Sequence, residues 1–200
     1  MTVQRANIIG ILGGSFNPVH IGHLMLASYL CQWNYVDKVW LMLSPRNPLK
    51  DSRTQISDIK RLNMLHRATK NIDYMQTCDI ELSMPRPSYT INTLNTLAHR
   101  YPDKQFKLII GSDNWAIFEK WKSWQEILDR FGVIVYPRRG YPIDNHIVDG
   151  MEVADAPIVD ISSTFIRSAI AAGRNVEFFL PQGVYKYILD NKLYKSQPKL

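Results

Sequence analysis

The chain has 200 residues, 46% of them hydrophobic and 21% charged, and a formal net charge of +6. That balance fits one globular domain with a sizeable core and favours an anionic partner, a nucleic acid or a polyphosphate. No apolar run reaches the roughly 18 residues of a membrane span, residues 1–7 lack the apolar stretch of a signal peptide, and Cys31 and Cys78 lack metal-ligand spacing.

The predicted elements alternate. Ile8-Ile9-Gly10-Ile11-Leu12 is a short apolar strand, followed by a glycine-rich turn and a helix over 24–30. Val39, Leu41 and Leu43 mark a second strand over 38–43. Asp58, as N-cap, then precedes Ile59, Leu62, Leu65 and Ala68 at helical spacing. A strand is expected around 74–78, a helix over 92–100, and a central strand over 106–110 that ends at Gly111. Trp124, Ile127 and Leu128 share a helix face, and 133–136 forms a buried strand. A further strand is expected at 158–161, then a helix over 162–172 closed by Gly173, then a last helix from about 183. The stretches 44–57 and 138–157 are long for loops, which marks them as lids or binding loops.

This alternation argues for an α/β protein with a Rossmann-like open parallel sheet and helices on both faces. Residues 1–200 would form a single domain, with the last helix, about 183–194, packed at its C-terminal end. The ligand is expected beyond the carboxyl ends of the strands, where strand order reverses.

Two motifs carry the chemistry. The first is Gly13-Gly14-Ser15-Phe16-Asn17-Pro18-Val19-His20-Ile21-Gly22-His23. Strand, glycine turn and helix start form a phosphate cradle, because backbone N–H groups can approach a polyanion there. Two imidazoles at that helix start can donate to phosphate oxygens. The second is Asp160-Ile161-Ser162-Ser163-Thr164-Phe165-Ile166-Arg167. Its hydroxyls can cap a helix or bind phosphate, and Arg167 adds a planar multidentate donor.

Both motifs resemble those of the nucleotidylyltransferase superfamily, with its GxFxPxHxGH-type and ISSTxIR-type signatures. The middle of the chain narrows the resemblance to bacterial nicotinate mononucleotide adenylyltransferases. The segments that carry it are Ser44-Pro45-Arg46-Asn47-Pro48-Leu49-Lys50, Ser88-Tyr89-Thr90-Ile91-Asn92-Thr93-Leu94, Gly111-Ser112-Asp113, Trp121-Lys122-Ser123-Trp124, and the stretch from Leu180-Pro181-Gln182-Gly183-Val184 to Tyr194.

The resemblance implies a nucleotidylyltransferase fold and a cytoplasmic enzyme of NAD biosynthesis. ATP and nicotinate mononucleotide would give deamido-NAD and pyrophosphate, with Mg²⁺ arriving with ATP and no metal ligand supplied by the protein. His20, His23 and Arg167 would be catalytic. Gly13, Gly14, Ser15, Phe16, Gly22, Lys50, Gly111, Asp113, Ile161, Ser162 and Ser163 would bind ATP. Thr90, Trp121 and Arg138 would face the mononucleotide. His66, His99 and His146 carry no partner pattern.

Phosphopantetheine and cytidylyl relatives differ at the position of His20 or in the second motif. Preference for the acid over the amide mononucleotide stays open, as does assembly of identical copies. A non-catalytic nucleic-acid-binding domain fits less well, because the positive residues are dispersed and no basic arm is visible. Neither a nucleic-acid partner nor a membrane partner is expected.

Overall fold

The computed structural model describes residues 7–45, 56–143 and 147–195. Six parallel strands form one sheet in the order β3-β2-β1-β4-β5-β6. They are β1 (Asn7–Gly14), β2 (Lys38–Leu43), β3 (Met75–Cys78), β4 (Lys104–Gly111), β5 (Val133–Tyr136) and β6 (Met151–Val153). Strand order reverses between β1 and β4, so the crevice at their carboxyl ends lies beside Gly14 and Gly111.

Strand alternation builds two cores. On β2, Val39, Leu41 and Leu43 face one core, and Trp40 and Met42 face the other. The first core takes α1 (Ile21–Gln32), α2 (Asp58–Thr69), α6 (Ser163–Ala171) and α7 (Gln182–Asp190) through Leu30, Leu65, Ile166 and Val184. The second takes α3 (Thr90–Arg100) and α5 (Trp124–Phe131) through Leu94 and Ile127. Fully burying such side chains contributes about 1.5–3 kcal/mol each. A single turn, α4 (Ser112–Trp115), follows β4 directly.

Several expectations need correction. Residues 158–161 form no strand; they line a cavity, with Ile158 57% exposed. The sixth strand is β6, inside the stretch expected to be irregular, and Met151 pairs with Val133. The first helix starts at Ile21, so His23 lies on its first turn. Ser57, not Asp58, is the N-cap of α2, and its side chain makes no cap bond. The buried face of α2 carries Arg61, Met64, Leu65 and Ala68, whereas Ile59 is exposed. The last helix ends at Asp190.

Among the described residues no helix is long and apolar enough to cross a membrane. Cys31 is half-buried and Cys78 buried, both as free thiols, and burial pushes each up to about 11.

Candidate active site

Two cavities meet at the carboxyl end of β1, and Leu12, Gly13, Gly14, Asn114 and Tyr136 line both. The larger, about 580 Å³, runs between α1 and the segment 156–163. Ser15, Phe16, His20, Gly22, His23, Arg138, Ile161, Ser162 and Ser163 also line it. The smaller, about 180 Å³, takes Ser44, Glu81, Thr90, Gly111 and Trp121.

The glycine turn is shaped from within. Phe16 has φ +42 and is buried, and its ring folds against Gly14. A left-handed phenylalanine costs about 1–3 kcal/mol, a strain met mainly at functional sites. A Cβ on Gly14 would meet that ring at 3.0 Å. A Cβ on Gly22 would meet His20 Nδ1 at 3.2 Å and Val159 at 3.4 Å, so this glycine makes room for the imidazole.

His20 is the N-cap residue of α1, in extended backbone. Its backbone N–H donates to His23 Nδ1 at 3.1 Å. That contact makes Nδ1 the acceptor, so the neutral His23 ring carries its proton on Nε2. The two rings lie 3.6 Å apart between centroids, and Phe16 meets His23 edge-on at 5.0 Å. Burial, with help from the Arg138 guanidinium, lowers His20 to about 4. Burial, His20 and Arg138 hold His23 well below its ordinary value. Both rings are therefore neutral near pH 7. His20 Nδ1 is buried without a hydrogen bond.

Behind the turn, three side chains hold its carbonyl oxygens. Arg61 Nη1 donates to Ser15 O at 2.5 Å. Arg167 Nη1 donates to Asn17 O at 2.8 Å, and Ser163 Oγ donates to Pro18 O at 2.8 Å. Tyr194 adds a 2.8 Å bond from its hydroxyl to Asn17 Oδ1.

The structure sorts the sequence candidates unevenly. Arg167 lines neither cavity; besides Asn17 O, it donates to Thr164 Oγ1 at 3.2 Å. Ser162 caps α6 by accepting from Phe165 N–H at 3.1 Å. Arg138 lines the larger cavity and Gly111 the smaller. Asp113 lines neither cavity, and its Oδ1 faces Arg138 Nε at 3.5 Å. A Cβ on Gly111 would collide with both of those side chains. Thr90 and Trp121 both line the smaller cavity, where Trp121 packs on Phe118 with centroids 5.5 Å apart. Trp124, like Trp121, packs against the second core, but it lines neither cavity. Lys50 and His146 lie outside the described residues, while His66 and His99 are exposed.

Sequence reasoning missed Glu81, Asn114 and Arg61. Glu81 is a buried carboxylate that accepts from Thr93 Oγ1 at 2.9 Å. Burial raises its pKa, while Thr93 and the Ser44 side chain pull the other way. Nothing in its short segment signals that burial. Arg61 did leave a signal, because it falls on the stripe of Met64, Leu65 and Ala68.

Comparison with known proteins bears on the family and the fold. The model of the Cytidylyltransferase-like family matches residues 11–169. A Bacteroides fragilis protein named "probable nicotinate-nucleotide adenylyltransferase" is 46% identical over 181 residues, covering 90% of each chain. A Flavobacterium johnsoniae protein of the same name is 40% identical over 191 residues, covering 94% of this chain and 99% of its own. The structure of Plasmodium falciparum nicotinic acid mononucleotide adenylyltransferase complexed with NaAD matches with a TM-score of 0.74. It is 19% identical, covering 94% of this chain and 97% of its own, and so shows the shared fold.

Proposed function

From a chain that belongs to the Cytidylyltransferase-like family, and within it to the nicotinate-nucleotide adenylyltransferases, we infer adenylyl transfer from ATP to nicotinate mononucleotide. The products are nicotinate adenine dinucleotide and pyrophosphate, a step of NAD biosynthesis. The observation that carries this reading is the pair of cavities meeting at Gly13 and Gly14, at the switch point of the sheet.

We place ATP in the larger cavity and the mononucleotide in the smaller, so that the α-phosphate and the attacking phosphate meet over the glycine turn. An oxygen of the mononucleotide phosphate bonds to the α-phosphorus, and the bond from that phosphorus to the β-phosphate bridge breaks. The electron pair leaves with pyrophosphate. The nucleophile arrives as an anion, so no serine or cysteine is required. Catalysis then rests on alignment and on donors aimed at developing charge.

In this scheme His20 and His23 act as neutral donors to phosphate oxygens. Gly13, Gly14, Ser15 and Phe16 contribute backbone N–H groups. Arg138 supplies the cation that faces the triphosphate, a reassignment from the mononucleotide side that its position favours. Ser162, Ser163 and Ile161 edge the same cavity. Arg167 acts on the Asn17 carbonyl and is carried as a support of the cradle. Lys50 neutralises phosphate charge. Thr90 and Trp121 hold the mononucleotide, with the indole as a wall for the pyridine ring.

Adenylyl transfer of this class draws on a divalent cation, and we propose Mg²⁺ carried by ATP. Among the described residues no group of three His, Cys, Asp or Glu could hold a metal ion. We propose that phosphate oxygens and water supply its ligands. We place the reaction in the cytoplasm, where ATP is made available and free thiols persist.

The test is direct. Incubation with ATP, Mg²⁺ and nicotinate mononucleotide should release pyrophosphate and dinucleotide in equal amounts. Release of pyrophosphate without dinucleotide would overturn the assignment.

A further inference from the structure

Arg61 is the most deeply buried cation near the glycine turn, with no exposed side-chain surface, yet it lines neither cavity. It reaches the turn from α2. Nη1 donates to Ser15 O at 2.5 Å and to Ser44 O at 2.9 Å. Nη2 donates to Asp58 Oδ1 at 2.8 Å. Ser44 N–H in turn donates to Gly14 O at 2.9 Å. One guanidinium thus ties the loop after β1 to the loop after β2.

Burial of this kind is a poor route to stability. Desolvating a guanidinium offsets much of what its partners return. Here the carboxylate partner is partly exposed and also faces Arg86 at 3.5 Å. Arg61 Nε is buried with no hydrogen bond. The buried face of the helix also carries Met64, Leu65, Ala68 and Thr69. A leucine or methionine would leave the Ser15 and Ser44 carbonyls without this donor, so the reason for the guanidinium is to be sought in what it does to those carbonyls.

The geometry of the peptide unit supplies one. In a trans peptide the C=O and the following N–H point in opposite directions. Holding the Ser15 carbonyl toward α2 therefore turns the Phe16 N–H away from α2. Holding Ser44 fixes the neighbouring strand end against Gly14.

We propose that Arg61 is a positioning residue for adenylyl transfer: it turns the backbone of the cradle so that N–H groups face the triphosphate, and adds fixed positive charge behind them. The proposal rests on reading the glycine turn as a triphosphate cradle. Arg61 touches no substrate in this role. It preorganises donors whose aim decides how much they stabilise developing charge.

Arg61→Lys and Arg61→Met test it, with inorganic tripolyphosphate and nicotinate mononucleotide as separate calorimetric probes. Lysine keeps the charge but lacks the fork that serves two carbonyls and Asp58 together. Folded Arg61→Lys should lose tripolyphosphate affinity by about tenfold or more, the scale of one charge-assisted hydrogen bond. Its kcat should fall in step, and mononucleotide affinity should fall by less, since Arg61 bears on the smaller cavity only through Ser44 and holds the glycine turn directly at Ser15. Arg61→Met should lose more. Wild-type tripolyphosphate affinity and kcat in folded Arg61→Lys would overturn the proposal. So would equal loss of both probes, which marks a general structural role. If the methionine variant does not fold, the lysine variant decides alone. Wild-type protein that binds tripolyphosphate but transfers nothing to the mononucleotide would overturn the function and leave the Arg61 comparison readable.

Discussion

The backbone N–H of His20 donates to Nδ1 of His23 at 3.1 Å, and this single bond sets the tautomer of the second imidazole. It makes the ring a donor through Nε2 while neutral, which suits a group meant to meet phosphate oxygens near pH 7. Replacing His20 or His23 by asparagine should lower kcat by on the order of 10²–10³, as for loss of a donor that acts in the transition state. Mononucleotide KM should change little. Steady-state kinetics on folded variants check this, and a fully active variant would remove that residue from the mechanism.

The same burial makes stability depend on pH. His20 is lowered to about 4 in the folded chain from an ordinary 6.5, chiefly by burial and then by Arg138. The unfolded chain therefore binds a proton that the folded one refuses. The contribution is fully present above about pH 6.5 and is lost as pH falls toward 4. In urea unfolding the wild type should lose stability relative to His20→Asn as pH falls through that window, by up to about 1.4 kcal/mol per pH unit. A difference independent of pH would show that His20 titrates normally.

Arg138 acts on both imidazoles as a nearby cation. Arg138→Gln should raise both imidazole pKa values, because one source of repulsion toward the protonated ring is gone. Burial remains, so neither should return to its ordinary value. Imidazole titration by NMR reads this. The same variant should raise KM for ATP more than KM for the mononucleotide; the reverse would return Arg138 to the acceptor side.

Trp121 lines the smaller cavity beside Thr90. Trp121→Ala should weaken mononucleotide binding by roughly 1–3 kcal/mol, by analogy with base–aromatic stacking. Trp121→Phe should recover part of that loss, and KM for ATP should hold. Equal loss of both substrates in a folded variant would make Trp121 a packing residue of the Phe118 cluster.

Much of this arrangement is legible in the chain because it is local. The glycine turn lies between an apolar strand and a helix start, and β2 and β5 are short apolar runs with the bounds expected of them. What was hidden is non-local. The strand β6 has three residues, and its pairing with Val133 rather than its apolarity makes it a strand. The more apolar 158–161 lines a cavity instead, with Ile158 exposed and Ile161 packed on the first core. Arg167 sits on a phosphate-type motif, yet its guanidinium reaches back 150 residues to the Asn17 carbonyl. Glu81 is buried by contacts from Thr93 on α3 and Ser44 after β2, which no spacing in its own segment announces.

The most direct measurement is a competition among acceptors. With ATP and Mg²⁺ fixed, nicotinate mononucleotide, its amide counterpart and phosphopantetheine are compared by kcat/KM for pyrophosphate release. The account predicts the highest value for nicotinate mononucleotide and nicotinate adenine dinucleotide as the product. Equal or faster turnover of phosphopantetheine, or no transfer to either mononucleotide, would contradict it.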